Sequence, residues 1–187
     1  MTAPTAWSLR DASPDDLEDV LRVWRRAVEA THDFLGPADV DGFEVQLRRE
    51  LPRLVLRLAT DPGDGSVVGF LTARGGEVDG LFVDPSVHGR GAGTALLEEV
   101  AAHHPILTLD VNEQNPAARE WYRRRGFVEV GRSATDADCK PFPIIHLRRS
   151  EPPAGDDAGT TNAVHRRAGA PRRCGVAPRG FEPPLPP

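Results

Sequence analysis

Residues 81–97 read Leu-Phe-Val-Asp-Pro-Ser-Val-His-Gly-Arg-Gly-Ala-Gly-Thr-Ala-Leu-Leu, and no other stretch constrains the fold as tightly. An apolar strand enters a turn bearing Gly89, Gly91 and Gly93, and the chain leaves that turn as a helix with no bulky side chain at its first approaches. Strand and helix must therefore pack as adjoining layers. The turn between them is a cradle for an anion: glycines let successive backbone N–H groups converge, and a helix N-terminus adds roughly half a positive charge there.

Two common cradles are excluded by what surrounds the glycines. A P-loop requires Gly-Lys-Ser/Thr, which would reach a terminal phosphate and hold magnesium, and no such run follows Gly93. A dinucleotide fingerprint starting at Gly91-Ala92-Gly93 would need a small residue at position 96, which is Leu96, and its strand would have to open a βαβ repeat. What remains is Gln/Arg-x-x-Gly-x-Gly/Ala, present as His88-Gly89-Arg90-Gly91-Ala92-Gly93. This resembles the pyrophosphate loop of the GNAT superfamily of N-acetyltransferases, which bind acetyl-coenzyme A. His88 departs from the usual Gln or Arg, yet it retains a hydrogen-bond donor; its other reading is a surface turn residue.

The periodicity around the cradle is consistent with that resemblance. A strand is expected over 7–10, followed by Ser13 as N-cap with Pro14 at the first helical position. Leu17, Val20, Leu21, Trp24 and Val28 then share a helical face. A second helix is expected over 38–51, with Val40, Phe43 and Leu47 inward and Pro52 as its stop. Strands follow over 54–60 and 66–73, joined through Asp61-Pro62-Gly63-Asp64-Gly65, and Gly75-Gly76 turns into a strand over 77–83. The cradle helix should end near His103; next come a strand over 106–111, a helix over 116–125 and strands over 127–133 and 144–147. The predicted class is α/β (α+β), a GNAT fold whose central mixed, mostly antiparallel sheet of about seven strands is flanked by four helices.

A second motif strengthens the resemblance, which spans nearly all of residues 7–149. Asn112-Glu113-Gln114-Asn115-Pro116-Ala117-Ala118-Arg119-Glu120-Trp121-Tyr122, continuing to Gly126-Phe127, looks like the family's Asn-x-x-Ala-x-x-x-Tyr followed by Gly-Phe. The segments Glu29-Ala30-Thr31-His32-Asp33-Phe34-Leu35 and Lys140-Pro141-Phe142-Pro143 are similar to a narrower group of small bacterial GNATs, some of them regarded as acetylating protein lysines. The resemblance implies acetyl-CoA as co-substrate, no metal, and a primary amine as acceptor, in the narrower group a protein lysine. The alternatives are a small amine such as a polyamine, amino acid or aminoglycoside, and an acyl-CoA-binding module without turnover. It places coenzyme A contacts at Leu81, Phe82, Val83, His88, Gly89, Arg90, Gly91, Ala92, Gly93, Thr94, Asn112, Asn115, Ala118 and Arg125.

Acetyl transfer to an amine passes through an oxyanion, expels a thiolate and requires a neutral amine, although a lysine ammonium has a pKa of about 10.4. A backbone N–H within 81–83 is the candidate oxyanion donor, with Gly80 permitting a bulge that frees amides. Tyr122 matches the family's general acid, and its phenol, with a pKa of about 10, is protonated at neutral pH; its alternative is a ring packed beside Trp121. Glu77 stands where many members place a carboxylate that takes the amine proton, directly or through water. The narrower group allows histidine there, so Glu77 is read as base, as amine binder, or as a solvated strand end. Neither cysteine has a nucleophile's surroundings, and no acyl-enzyme is expected.

Three other polar groups have plainer readings. Asn115 can cap its helix and touch the cofactor at once. His32-Asp33 reads as a helix-end hydrogen bond ahead of a charge relay. His103-His104 reads as an exposed helix terminus, and Arg123-Arg124-Arg125 as a solvated face with one arginine aimed at the ribose 3′-phosphate.

Composition bounds the rest. The chain has 187 residues, two cysteines and a net charge of −5, which suits one domain with its own core and argues against a nucleic-acid binder. No apolar run nears the roughly 18 residues that span a bilayer, and no secretion signal is seen, so a cytoplasmic monomer or homodimer is expected. Cys139 and Cys174 fit a reducing compartment. The domain is expected over 1–150. Residues 151–187, rich in Pro, Gly and Arg, cannot bury enough to offset their ordering entropy and are expected to be a disordered tail. Its alternatives are a basic arm built on Arg166, Arg167, Arg172, Arg173 and Arg179, or an extension with no role.

Overall fold

Period-two alternation in the strands distributes the apolar residues to both faces of one sheet, so helices must cover both. The structure, a computed structural model, describes residues 7–31, 36–135 and 143–150. It contains strands β1 (Ser8–Asp11), β2 (Leu56–Thr60), β3 (Val67–Arg74), β4 (Glu77–Val83), β5 (Ile106–Asn112), β6 (Val128–Ser133) and β7 (Ile144–Ser150). Helices α1 (Leu17–Thr31), α2 (Pro37–Glu50), α3 (Ala92–Ala101) and α4 (Pro116–Arg123) complete it. The strand order is β1-β2-β3-β4-β5-β7-β6, a seven-stranded sheet as expected. Every neighbouring pair is antiparallel except β4 and β5, which α3 connects as a crossover.

Adjacent residues of one strand enter different cores. Leu71 joins Val78, Leu96, Leu97, Leu107, Leu109, Phe127, Ile145 and Leu147 under α3 and α4. Its neighbour Phe70 joins Val20, Trp24, Val28, Val40, Leu47 and Leu58 under α1 and α2, stacked on Phe82 at 5.2 Å. Each large side chain so buried contributes about 1.5–3 kcal/mol. Charged residues fasten the outer surfaces. Arg25 of α1 reaches Glu44 and Asp41 of α2, each at 2.8 Å, and Arg57 of β2 forks Glu99 of α3 at 2.6 and 2.7 Å.

Several boundaries differ from expectation for local reasons. Pro14 opens a 3₁₀ turn, Pro14–Asp16, and the α-helix begins only at Leu17. There the Asp16 carboxylate turns back to accept from the Ser13 N–H at 2.7 Å and Oγ–H at 2.8 Å, and is forked by Arg10. Pro52 lies inside a second 3₁₀ turn, Leu51–Arg53, so β2 starts at Leu56 instead of 54. Phe43 is only half-buried against its core. The cradle helix ends at Ala101 and α4 at Arg123, each two residues short of prediction. β7 continues to Ser150, three past the predicted end, because its pairing with β5 extends through Ile106↔Ser150. The expectations for His32-Asp33, the segment 140–142, both cysteines and the tail 151–187 lie outside the described residues.

Candidate functional site

One break in the sheet organises the site. β4 and β5 pair only at Glu77↔Thr108 and Val78↔Leu109; beyond them the ladder stops, leaving that edge of residues 79–83 facing a wedge. A bulge causes the divergence: Thr72 pairs with Gly80 and Ala73 with Val78, so Asp79 is the extra residue. Arg74 holds Asp79 there through two bonds of 2.6 and 2.9 Å. Leu81, Phe82 and Val83, all half-buried, line the open side, and the bulge lies beside Gly80 as the sequence suggested.

The cradle follows from the end of β4. Gly89 and Gly91 adopt φ of +74° and +92°, conformations costly for other residues. The first bond of the α3 ladder is Ala95 N–H to the Gly91 carbonyl at 2.9 Å. The N–H groups of Ala92, Gly93 and Thr94 therefore precede the ladder, at the positive end of the helix. A Cβ on Gly93 would sit 3.3 Å from both Trp121 Cζ2 and Val83 Cγ2, so glycine there lets α4 close over α3.

Residues that sequence reasoning did not single out brace this turn. Asp84 is buried, and its Oδ1 accepts from Ser86 N–H at 2.9 Å and Ser86 Oγ–H at 2.6 Å. Its Oδ2 lies 3.2 Å from Arg26 and 3.5 Å from Arg22 of α1. Burial pushes this carboxyl up, but the Ser86 bonds and the two guanidinium charges outweigh burial and hold it below the usual range. Trp7 Nε1–H donates to the Arg90 carbonyl at 2.9 Å, and the Arg90 guanidinium lies over the Trp7 ring. Asp84-x-Ser86 carries a readable Asx-turn signal; Trp7, 83 positions from Arg90, carries none.

The other predicted residues fall into three places. His88, exposed, turns its Nε2–H to the Val83 carbonyl at 3.1 Å, the tautomer being assigned from the carbonyl's need for a donor. Asn115 caps α4 by accepting from Ala118 N–H at 3.0 Å, and Asn112 Oδ1 accepts from Gln114 N–H. Tyr122 packs edge-on against Trp121 at 5.0 Å and Phe127 at 5.4 Å, on the α3/α4 side. Arg125 does not reach outward: it donates to Thr94 Oγ1 at 2.6 Å, lies 3.5 Å over the Trp121 ring, and ties α4 to α3. Glu77 stands at the closed end of the wedge, paired with Arg74 and Thr108. Pairing places it on the face of Phe70 and Phe82, opposite Tyr122.

The N–H groups of Ala92, Gly93 and Thr94 thus stand at the end of β4 where it parts from β5. Among the described residues no group of three or more His, Cys, Asp or Glu is arranged to hold a metal, and no helix is long and apolar enough to cross a membrane.

The chain is similar to several known proteins. Residues 55–129 match the acetyltransferase (GNAT) domain family. The chain is 39% identical over 140 residues to the peptidyl-lysine N-acetyltransferase YjaB of Escherichia coli K12, covering 75% of this chain and 95% of that one. The solution structure of apo-form YjaB from E. coli superposes with a TM-score of 0.72 at 37% identity, over 79% of this chain and 99% of that one. In fold alone, the PaiA N-acetyltransferase of Thermoplasma acidophilum in complex with coenzyme A is also similar. It superposes with a TM-score of 0.61 at 18% identity, covering 78% and 99% of the two chains.

Proposed function

The chain belongs to the GNAT acetyltransferase family, and from that premise we propose that it transfers acetyl from acetyl-CoA to a primary amine, the side chain of a protein lysine. The observation that carries this reading is the wedge between β4 and β5 with the glycine turn at its open end. Phosphates suit the N–H groups of Ala92, Gly93 and Thr94, with His88 and Arg90 beside them, and the absence of a Cβ at Gly93 keeps the turn close to α4. The peptidyl-lysine activity in the name of YjaB supports lysine over a small amine.

In this reading the thioester lies in the wedge and the amine approaches from the face of Glu77. A backbone N–H on the wedge edge of 81–83 stabilises the oxyanion that forms when the amine attacks. Collapse expels the thiolate of coenzyme A, which takes the phenolic proton of Tyr122 from the opposite face, while the new amide nitrogen sheds its extra proton to water and the phenolate takes one back from water. Glu77 sets a carboxylate on the amine side, where it draws the acceptor's ammonium. Asn112, Asn115 and Ala118 shape the turn and first helical residues of α4, so Tyr122 is aimed from a capped helix. Acetyl passes directly between donor and acceptor.

Tyr122→Phe tests this reading by mass spectrometry of a bacterial proteome incubated with acetyl-CoA. We expect wild-type protein to acetylate lysines and Tyr122→Phe to do so roughly 10²-fold to 10⁴-fold more slowly while still binding coenzyme A. Coenzyme A binding by the wild type without thiol release on any amine or protein would overturn the assignment and leave a binding module. Release with polyamines but not with proteins would move the acceptor to a small amine.

A further inference from the structure

Trp7 stands immediately before β1 and packs, with Leu9 two residues on, against the core under α3 and α4. Its indole crosses to the glycine turn. Nε1–H donates to the Arg90 carbonyl at 2.9 Å, 83 positions away, and the Arg90 guanidinium lies 5.2 Å over the ring. The same wing of the sheet holds the far end of α3, where Arg57 forks Glu99 at 2.6 and 2.7 Å and reaches Asp11 at 3.0 Å. A trans peptide unit is planar, so its carbonyl and its N–H point to opposite sides. With the Arg90 carbonyl on the indole, the Gly91 N–H of the same unit is turned away from Trp7. Gly91 has φ of +92° and ψ of 0°, a left-handed conformation, and Ala92 after it opens the right-handed α3. Such a succession brings neighbouring N–H groups, here those of Gly91, Ala92 and Gly93, toward one point, and that concavity suits an anion.

We propose that Trp7 is a positioning residue for the acyl donor, an inference that rests on the acetyl-CoA reading. Its indole locks the peptide between Arg90 and Gly91, so that the Gly91 N–H meets the diphosphate of coenzyme A beside those of Ala92 and Gly93. A lock is needed because glycine takes positive and negative φ about equally well. Opposed rotations of the Arg90 ψ and the Gly91 φ would flip this one peptide and bring its carbonyl to the side where the N–H had been. A donor at the phosphates would become an acceptor, and oxygen would face oxygen. The indole N–H only donates, so it pairs with the carbonyl of the unflipped peptide and meets a second donor in the flipped one. Trp7 thereby selects one of two orientations that Gly91 alone leaves open. Bonds from N–H groups to an ionised acceptor are about twice as strong as neutral ones, so the choice bears on affinity for the diphosphate. The thioester, at the other end of the cofactor, is not touched by it.

The test compares two donors, acetyl-CoA and acetyl-pantetheine, which carries the same thioester without the diphosphate. Trp7→Phe keeps an aromatic ring beside Arg90 and removes the N–H. It should raise the KM for acetyl-CoA roughly tenfold, equivalent to about 1.4 kcal/mol, with kcat and the KM for a lysine peptide at their wild-type values. With acetyl-pantetheine, kcat/KM should be the same in both proteins. A second measurement needs no substitution and decides the matter even if Trp7→Phe fails to fold: in wild-type protein the Trp7 indole N–H, followed by NMR, should exchange with water more slowly once coenzyme A is bound. An unchanged acetyl-CoA KM in Trp7→Phe, an equal loss with both donors, or an indole N–H no slower to exchange in the coenzyme A complex would overturn the lock and leave acetyl transfer standing. Absence of transfer by the wild type from either donor to any amine or protein would remove the functional reading and the lock together.

Discussion

At the scale of single residues, the cradle depends on backbone conformations more than on side chains. Gly91 has φ of +92° at the residue preceding α3, where an L side chain is strained by about 1–2 kcal/mol. Gly91→Ala should therefore lower the urea midpoint by that equivalent and weaken coenzyme A binding, read by calorimetry; unchanged affinity would show that the turn can rearrange without loss. Both the glycines and Tyr122 were visible in the sequence because their spacing is local. The partners that decide their geometry were not. The run Arg123-Arg124-Arg125 reads in sequence as a solvated face with one arginine for the ribose 3′-phosphate, and that Arg125 lies on Trp121 and bonds Thr94, 31 positions away, has no signal there. Trp7 and Arg90, 83 positions apart, share no local pattern that could have linked them.

At the scale of elements, the wedge exists because β4 and β5 are pinned together at one end and released by a bulge at the other. The pin is Gly76, whose carbonyl accepts the Thr108 N–H at 2.9 Å and whose added Cβ would lie 2.1 Å from the Ile106 carbonyl oxygen. Backbone would have to move to admit it. Gly76→Ala should accordingly cost about 3 kcal/mol in stability, whereas Gly75→Ala, with open space around its Cβ but φ of +61°, should cost only about 1 kcal/mol. Thermal denaturation of the pair checks the order, and a reversed order would refute this account of the pin. Gly75-Gly76 was legible as a turn. That the second glycine also carries the parallel junction required β5 to be in place.

At the scale of the whole molecule, Asp84 couples helix α1 to the start of the glycine turn through Arg22, Arg26 and Ser86. Its carboxyl is held below the ordinary value in the folded state, so its stabilisation is full above a pH of about 3.9 and fades as pH falls through the lower folded value. Asp84→Asn should thus lower stability by about 1–3 kcal/mol at pH 7, with a gap to wild type that narrows toward pH 3. It should also weaken coenzyme A binding by roughly tenfold, about 1.4 kcal/mol; an equal gap at both pH values would mean that the charge is not what matters. The amino-acid order by itself determined the succession of strands and helices, the glycine turn, the capped helix carrying Tyr122, and the family, because each rests on neighbours a few positions apart and on periods of 2 and 3.6 residues. Tertiary structure alone decided where β4 leaves β5, which face Glu77 takes, how α1 grips the cradle, and that Trp7 meets Arg90. Those depend on register between strands distant in sequence, and a one-residue slip or bulge turns every later side chain to the other face.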